Sequence, residues 1–119
     1  MIEQLREELM ADEGCVYAVY LDHLGLRTAG IGHLCRPSEP EYDMEVGDPI
    51  SEDRVLELFD RDMAWTLKDC HRLLPEFSDL PEEVRLIVAN MMFNLGANRL
   101  GGFKRFLEAV GKKDWASAA

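Results

Sequence analysis

Glu13-Gly14-Cys15-Val16-Tyr17-Ala18-Val19-Tyr20-Leu21-Asp22-His23-Leu24-Gly25-Leu26-Arg27-Thr28-Ala29-Gly30-Ile31-Gly32-His33 is the stretch on which the fold turns. Residues 16–21 are β-branched, aromatic and apolar, which predicts a strand. Asp22-His23-Leu24-Gly25 puts Asp at the first and Gly at the fourth position of a turn, as type I geometry prefers. Residues 26–33 then return as a second strand with Gly30 and Gly32 on one face. Glycine weakens a strand, so the pair calls for either a bulge or a close approach to the backbone.

Helices surround this hairpin. Ile2, Leu5 and Leu9 recur at helical spacing, so residues 2–13 form an amphipathic helix that Gly14 stops. A third short strand or a loop follows the hairpin through an acidic stretch. Ser51 is an N-cap, with Ile50 and Val55 as the hydrophobic staple around it. That helix runs through Leu58, Phe59, Met63 and Leu67 until Pro75 ends it. Pro81 suits the first turn of the next helix. There Val84, Ile87, Val88, Met91, Met92 and Leu95 repeat at helical spacing, while Leu86, Ala89 and Phe93 cover other faces. A helix apolar nearly all round belongs in the centre of a domain. Gly96 ends it, a shorter helix starts near Phe103, and another starts near Asp114-Trp115. The order is helix, small antiparallel sheet, then only helices: an α+β domain over residues 1–119. Its sheet lobe covers about 15–50 and its helical lobe 1–13 and 51–119, with a central buried helix. A cleft between lobes is the expected site.

A chain of 119 residues suits one domain and buries roughly two-thirds of its unfolded surface. With 47% apolar and 30% charged residues it is globular rather than disordered. No apolar run is long enough to span a membrane. Glu3, Glu7, Glu8, Asp12 and Glu13 outnumber Arg6 and Arg27 near the start, the wrong sign for a signal peptide. A net charge of −10 argues against nucleic-acid binding. The charge is uneven. Residues 39–62 hold ten acids and two bases, whereas residues 85–119 hold six bases and two acids. The basic end is therefore the better place for an anionic partner. Three cysteines, an odd number without a C-x-x-C pair, read as reduced thiols.

Several motifs fail. Gly30-Ile31-Gly32 lacks the third glycine and the following helix of a dinucleotide loop. There is no G-x-S-x-G and no H-E-x-x-H. His33, Cys35, Cys70 and His71 offer zinc-ligand chemistry, but adjacent Cys70 and His71 point about 100° apart on a helix. Buried thiols beside imidazoles are the simpler reading, so no metal or cofactor is expected. Glu13 is the exception to local rules. It lies in the last turn of the first helix, where a cation is preferred. A carboxyl group is the chemistry that a general acid requires. Taken singly, each candidate has a bland reading: Glu13 as an exposed helix residue, Asp22 as a turn cap, Thr28 as a strand former, Phe93 as core.

The combination is more specific than its parts. Glu13-Gly14, Tyr20-x-Asp22-x-x-Gly25-x-x-Thr28-x-Gly30-x-Gly32-His33 resembles the phage-type lysozymes, the endolysins of T-even-like phages. Leu58-Phe59-x-x-Asp62, Asn90-Met91-x-Phe93-Asn94-x-Gly96, Gly102-Phe103 and the Trp115 region extend the resemblance over nearly the whole chain. It implies a lysozyme-like fold and a muramidase of bacterial peptidoglycan. Glu13 would protonate the glycosidic oxygen, Asp22 would orient or deprotonate the attacking water, and Thr28 would hold that water. Such enzymes invert configuration, which requires carboxyl groups roughly 6.5–9.5 Å apart. The same resemblance pairs His33 with Asp62 and puts Gly32, Leu34, Phe93 and Asn94 against the sugar.

The chain also departs from the family pattern. It stops before the usual C-terminal helices, which carry an arginine that pairs with the catalytic acid; Arg99, Lys104 and Arg105 are substitutes by charge only. The face of Ile2, Leu5 and Leu9, with Trp115, is expected to lie bare and to favour self-association. An alternative reading is therefore a catalytically impaired peptidoglycan-binding or protein-interaction module on the same fold. The expected location is synthesis in a host cytoplasm, with action on the periplasmic wall once the membrane is breached.

Overall fold

The first helix, α1 (Ile2–Glu13), forms on the predicted bounds, and Gly14 terminates it with φ +75° and an N–H donated to Met10 O at 2.9 Å. This computed structural model describes residues 2–118. Leu5 and Leu9 are both 0% exposed, whereas Ile2 is part-exposed and Trp115 is 40% exposed. The expectation of a bare α1 face is therefore corrected at Leu5 and Leu9, which lie one helical turn apart and are both buried.

Strand β1 (Val16–Leu21) pairs antiparallel with β2 (Arg27–Gly30), and β2 pairs antiparallel with the two-residue β3 (His33–Leu34). The sheet order is β1-β2-β3. The expected second strand over 26–33 is thus broken in two. Gly30 and Gly32 have φ of +61° and +64°, and left-handed backbone interrupts a ladder. Both reasons offered for these glycines hold. The β1–β2 register slips between Val16 and Val19, opposite Gly30 and Ala29, and a Cβ on Gly30 would come within 2.9 Å of Val55 Cγ1.

The acidic stretch is mostly loop, with a 3₁₀ turn at Pro40–Asp43. Its end lies along the free side of β1. Val19 N–H donates to Asp48 O, Gly47 N–H to Val19 O and Ile50 N–H to Tyr17 O, and Ala18 bridges Pro49. The long helix α2 (Glu52–Leu73) starts as expected: Ser51 Oγ accepts the Arg54 N–H at 3.1 Å, while Ile50 and Val55 are buried. After a 3₁₀ turn at Phe77–Asp79 come α3 (Glu82–Leu95), α4 (Ala97–Gly101), α5 (Lys104–Gly111) and α6 (Trp115–Ala118). The short α4 was not expected. Helix α3 buries Leu86, Val88, Ala89 and Met92, while Ile87 stays exposed.

The chain divides into two compact units, one of residues Arg6–Asp62 and one of residues 2–5 with 63–118. The first holds the sheet with most of α1 and the first half of α2. Its core includes Leu9, Val19, Ala29, Ile31, Val55, Leu58 and Phe59. The second is helical, with Phe77, Leu80, Val88, Leu100 and Val110 buried. Among the described residues, no helix is long and apolar enough to cross a membrane.

Candidate active site

The hairpin tip organises itself. Gly25, at φ +79°, donates its N–H to Asp22 O at 2.9 Å and closes the turn. Asp22 Oδ1 then accepts the N–H groups of Leu24 at 2.8 Å and Leu26 at 2.9 Å. The Leu26 carbonyl accepts the Asp22 N–H and the Thr28 hydroxyl, each at 2.9 Å. One peptide segment therefore aligns both Asp22 and Thr28. The Thr28 proton is committed to Leu26 O, which leaves its oxygen lone pairs as acceptors. Thr28 is 4% exposed, so its orientation is fixed. The Leu26 N–H, helped by those of Leu24 and Gly25, holds the Asp22 carboxyl below the usual carboxylate range.

Glu13 ends α1 and lies against Gly32. A Cβ on Gly32 would sit 3.1 Å from Glu13 Oε2 and 3.4 Å from its Cδ, so glycine makes room for the carboxylate. Tyr20 reports on both acids. It is paired with Thr28 across the sheet, and its phenol ionises above its ordinary value because of burial, then the charges of Glu13 and Asp22. The Gly32 backbone N–H also faces the Tyr20 oxygen.

Behind this surface sits His33, 4% exposed. Its Nδ1 lies 2.7 Å from Asp62 Oδ2, the pair implied by the resemblance. Its Nε2 lies 2.8 and 3.0 Å from the two oxygens of Glu39, which the sequence did not suggest. Burial alone would favour the neutral ring, but the two carboxylates outweigh it and hold the imidazole protonated above its ordinary range. Nearby, buried Glu41 takes a forked contact from Arg54, whose Nη2 donates to Oε2 at 3.1 Å. That guanidinium keeps Glu41 below the usual carboxylate range.

Glu13, Asp22, Thr28, Gly32, His33, Leu34 and Asp62 thus all fall in the sheet unit, with Leu34 exposed. Phe93 and Asn94 lie near the end of α3 in the helical unit, where the Asn94 amide donates to Asn90 O at 2.9 Å and Oδ1 at 2.8 Å. Arg99, Lys104 and Arg105 are exposed on α4 and α5 of the same unit. Cys15, Cys35 and Cys70 form no disulfide, and His71 packs edge-on against Phe77. Among the described residues, no group of three or more His, Cys, Asp and Glu is arranged to hold a metal ion. Sequence reasoning missed the Leu26 peptide and Glu39. Only the tight Asp22–Gly25 turn could have signalled the first, and nothing local signals the second.

Comparison with known proteins shows the family. Residues 10–119 match the phage lysozyme family. The chain is 28% identical to a protein named probable T4-type lysozyme 2 of Dictyostelium discoideum, covering all of this chain and 81% of that protein. It is 26% identical to probable T4-type lysozyme 1 of the same organism, with the same coverage. It is also 29% identical to the pre-baseplate central spike protein Gp5 of Enterobacteria phage T4, over 96% of this chain and 23% of that much longer protein.

Proposed function

This chain belongs to the phage lysozyme family, and from that premise we propose that it hydrolyses the β-1,4 bond between N-acetylmuramic acid and N-acetylglucosamine in bacterial peptidoglycan. Glu13, protonated, gives its proton to the glycosidic oxygen as the bond to the anomeric carbon breaks. A water attacks that carbon from the opposite face and passes a proton to Asp22. Thr28, an acceptor at this site, takes a hydrogen bond from the same water. The product is the inverted, α-configured sugar. Asp22 Oδ2, which the two turn bonds leave out, is the oxygen suited to the water. Gly32 and Leu34 contact the saccharide. No metal or cofactor takes part in these steps.

The observation that carries this reading is the shared Leu26 peptide. Its N–H bonds the Asp22 carboxylate and its carbonyl takes the Thr28 hydroxyl proton, so one hairpin residue orients both side chains. The test is turbidity clearing of outer-membrane-permeabilised Gram-negative cells, comparing the chain with Glu13→Gln. The expected loss is at least about a hundredfold, the scale of a general acid. Proton NMR of the first products should show the α-anomer. Equal clearing by both chains, or a β-anomer formed first, overturns the reading.

A further inference from the structure

Both nitrogens of His33 face carboxylates, and a neutral imidazole carries only one N–H. The ring therefore holds two protons, one toward Asp62 on α2 and one toward Glu39 in the loop. Its side chain is 5% exposed, and that of Glu39 only 9%. Glu39 is itself fixed, since Oε1 accepts the Arg36 N–H at 2.7 Å and the Glu39 N–H returns to Arg36 O at 2.9 Å. Glu41 of the loop, matched by Arg54 of α2, also faces the ring, and the buried Cys35 thiol lies near the carboxylates of Glu39 and Glu41 and the guanidinium of Arg27.

Strand β3 has two residues, and its ladder partners are Ala29 and Thr28 of β2. So short a strand has few ladder bonds of its own, and the His33 side chain ties it to α2 through Asp62 and to the loop through Glu39. Next to it is Gly32, the backbone against which the Glu13 carboxylate lies. We propose that Glu39 is a positioning residue for this site: by gripping His33 Nε2 it fixes β3, and with it the seat of Glu13 and the strand beside Thr28. This rests on the reading of Glu13 as proton donor. Asp62 anchors the ring to the helix, while Glu39 supplies the second anion that keeps the ring doubly protonated and both grips closed.

The test uses the full chain and two readouts. In the first, peptidoglycan hydrolysis is followed against pH for the wild type and Glu39→Gln, which keeps the shape and removes one anion. In the second, NMR follows the His33 ring and the Gly32 and Leu34 amides through the same titration. In Glu39→Gln the His33 midpoint should fall and the alkaline limb of kcat should fall with it. Above that limb kcat should drop about tenfold with KM unchanged, the scale of a small misplacement. At acid pH, where the ring still holds both protons, the variant should recover the wild-type rate. A superimposable pH profile, or an equal loss at every pH, overturns the proposal. So do Gly32 and Leu34 amides that ignore the His33 titration, a readout that needs no activity. If those amides follow the ring but the wild type cleaves nothing, the hydrolase reading fails and the tether stands.

Discussion

Asp22 and Leu26 exchange two hydrogen bonds across the hairpin tip: Asp22 N–H donates to Leu26 O at 2.9 Å, and Leu26 N–H donates to Asp22 Oδ1 at 2.9 Å. Shape and charge can therefore be separated at this position. Asp22→Asn keeps an acceptor oxygen for Leu24 and Leu26 but loses the anion. Its thermal midpoint should stay close to the wild type while hydrolysis falls about a hundredfold or more. Asp22→Ala loses the two turn bonds to Oδ1 as well and should lower the urea unfolding midpoint further than Asp22→Asn does.

Gly30 is a packing glycine. An added methyl would stand 2.9 Å from Val55 Cγ1 on a backbone at φ +61°. Valine cannot swing its branches aside, so Gly30→Ala should destabilise by about 2–4 kcal/mol. Val55→Ala opens the space but leaves the backbone strain. The double variant should therefore be less destabilised than the two single changes added together, measured by urea unfolding.

Gly32 is a different kind of glycine. Its missing side chain leaves room for the Glu13 carboxylate rather than for core. Gly32→Ala should cost about 1–2 kcal/mol, because φ is +64°, yet cut hydrolysis more than Gly30→Ala does. Comparing both variants at a temperature where each is fully folded checks this.

The His33 tether gives stability a pH signature. His33 is raised, so its contribution is complete below the unfolded value of 6.5 and is lost as pH climbs through the higher folded value. Glu39 is lowered: burial opposes the charge, but His33 and the Arg36 N–H outweigh it. Its contribution is present above 4.5 and disappears as pH falls through the folded value. Unfolding free energy should thus be highest from mildly acidic pH to neutrality, and His33→Ala should flatten both edges of that window. At its centre the variant should lose about 3 kcal/mol, the cost of stranding buried carboxylates.

Thiol chemistry should be selective. Cys70 is fully buried and its thiol is pushed up to about 12 by burial and by Asp69, while Cys35 is buried and raised as well. Cys15 is part-exposed. A disulfide reagent should titrate one thiol quickly in the native chain and all three after unfolding. Cys15→Ser should abolish the fast phase.

Much of this architecture was legible because its signals are local. Val16–Leu21 reads as a strand from its own residues, Asp22 and Gly25 announce a turn, and Ser51 caps a helix three residues ahead. The break at Ile31-Gly32 was not legible, because the residue types over 26–33 do not show that two glycines adopt left-handed backbone. Nor was α4, which follows Gly96 without a cap residue of its own. Within the site, Glu13, Asp22 and Thr28 stood out only as a spaced set. Glu39 was hidden because it meets His33 through a loop, and an acidic loop looks the same whether its carboxylates face water or a buried ring.

The strip of main chain from Gly47 to Ile50 along β1 has a consequence for solubility. Val-Tyr-Ala-Val-Tyr-Leu, uncharged and rich in β-formers, is the kind of segment that seeds cross-β assembly when its flank is open. Here that flank is occupied by the chain's own backbone, with Glu45 and Asp48 beside it as charged guards against a second copy. Proteolytic nicking between Met44 and Val46 would lift that guard, and fibril formation would be its outward sign.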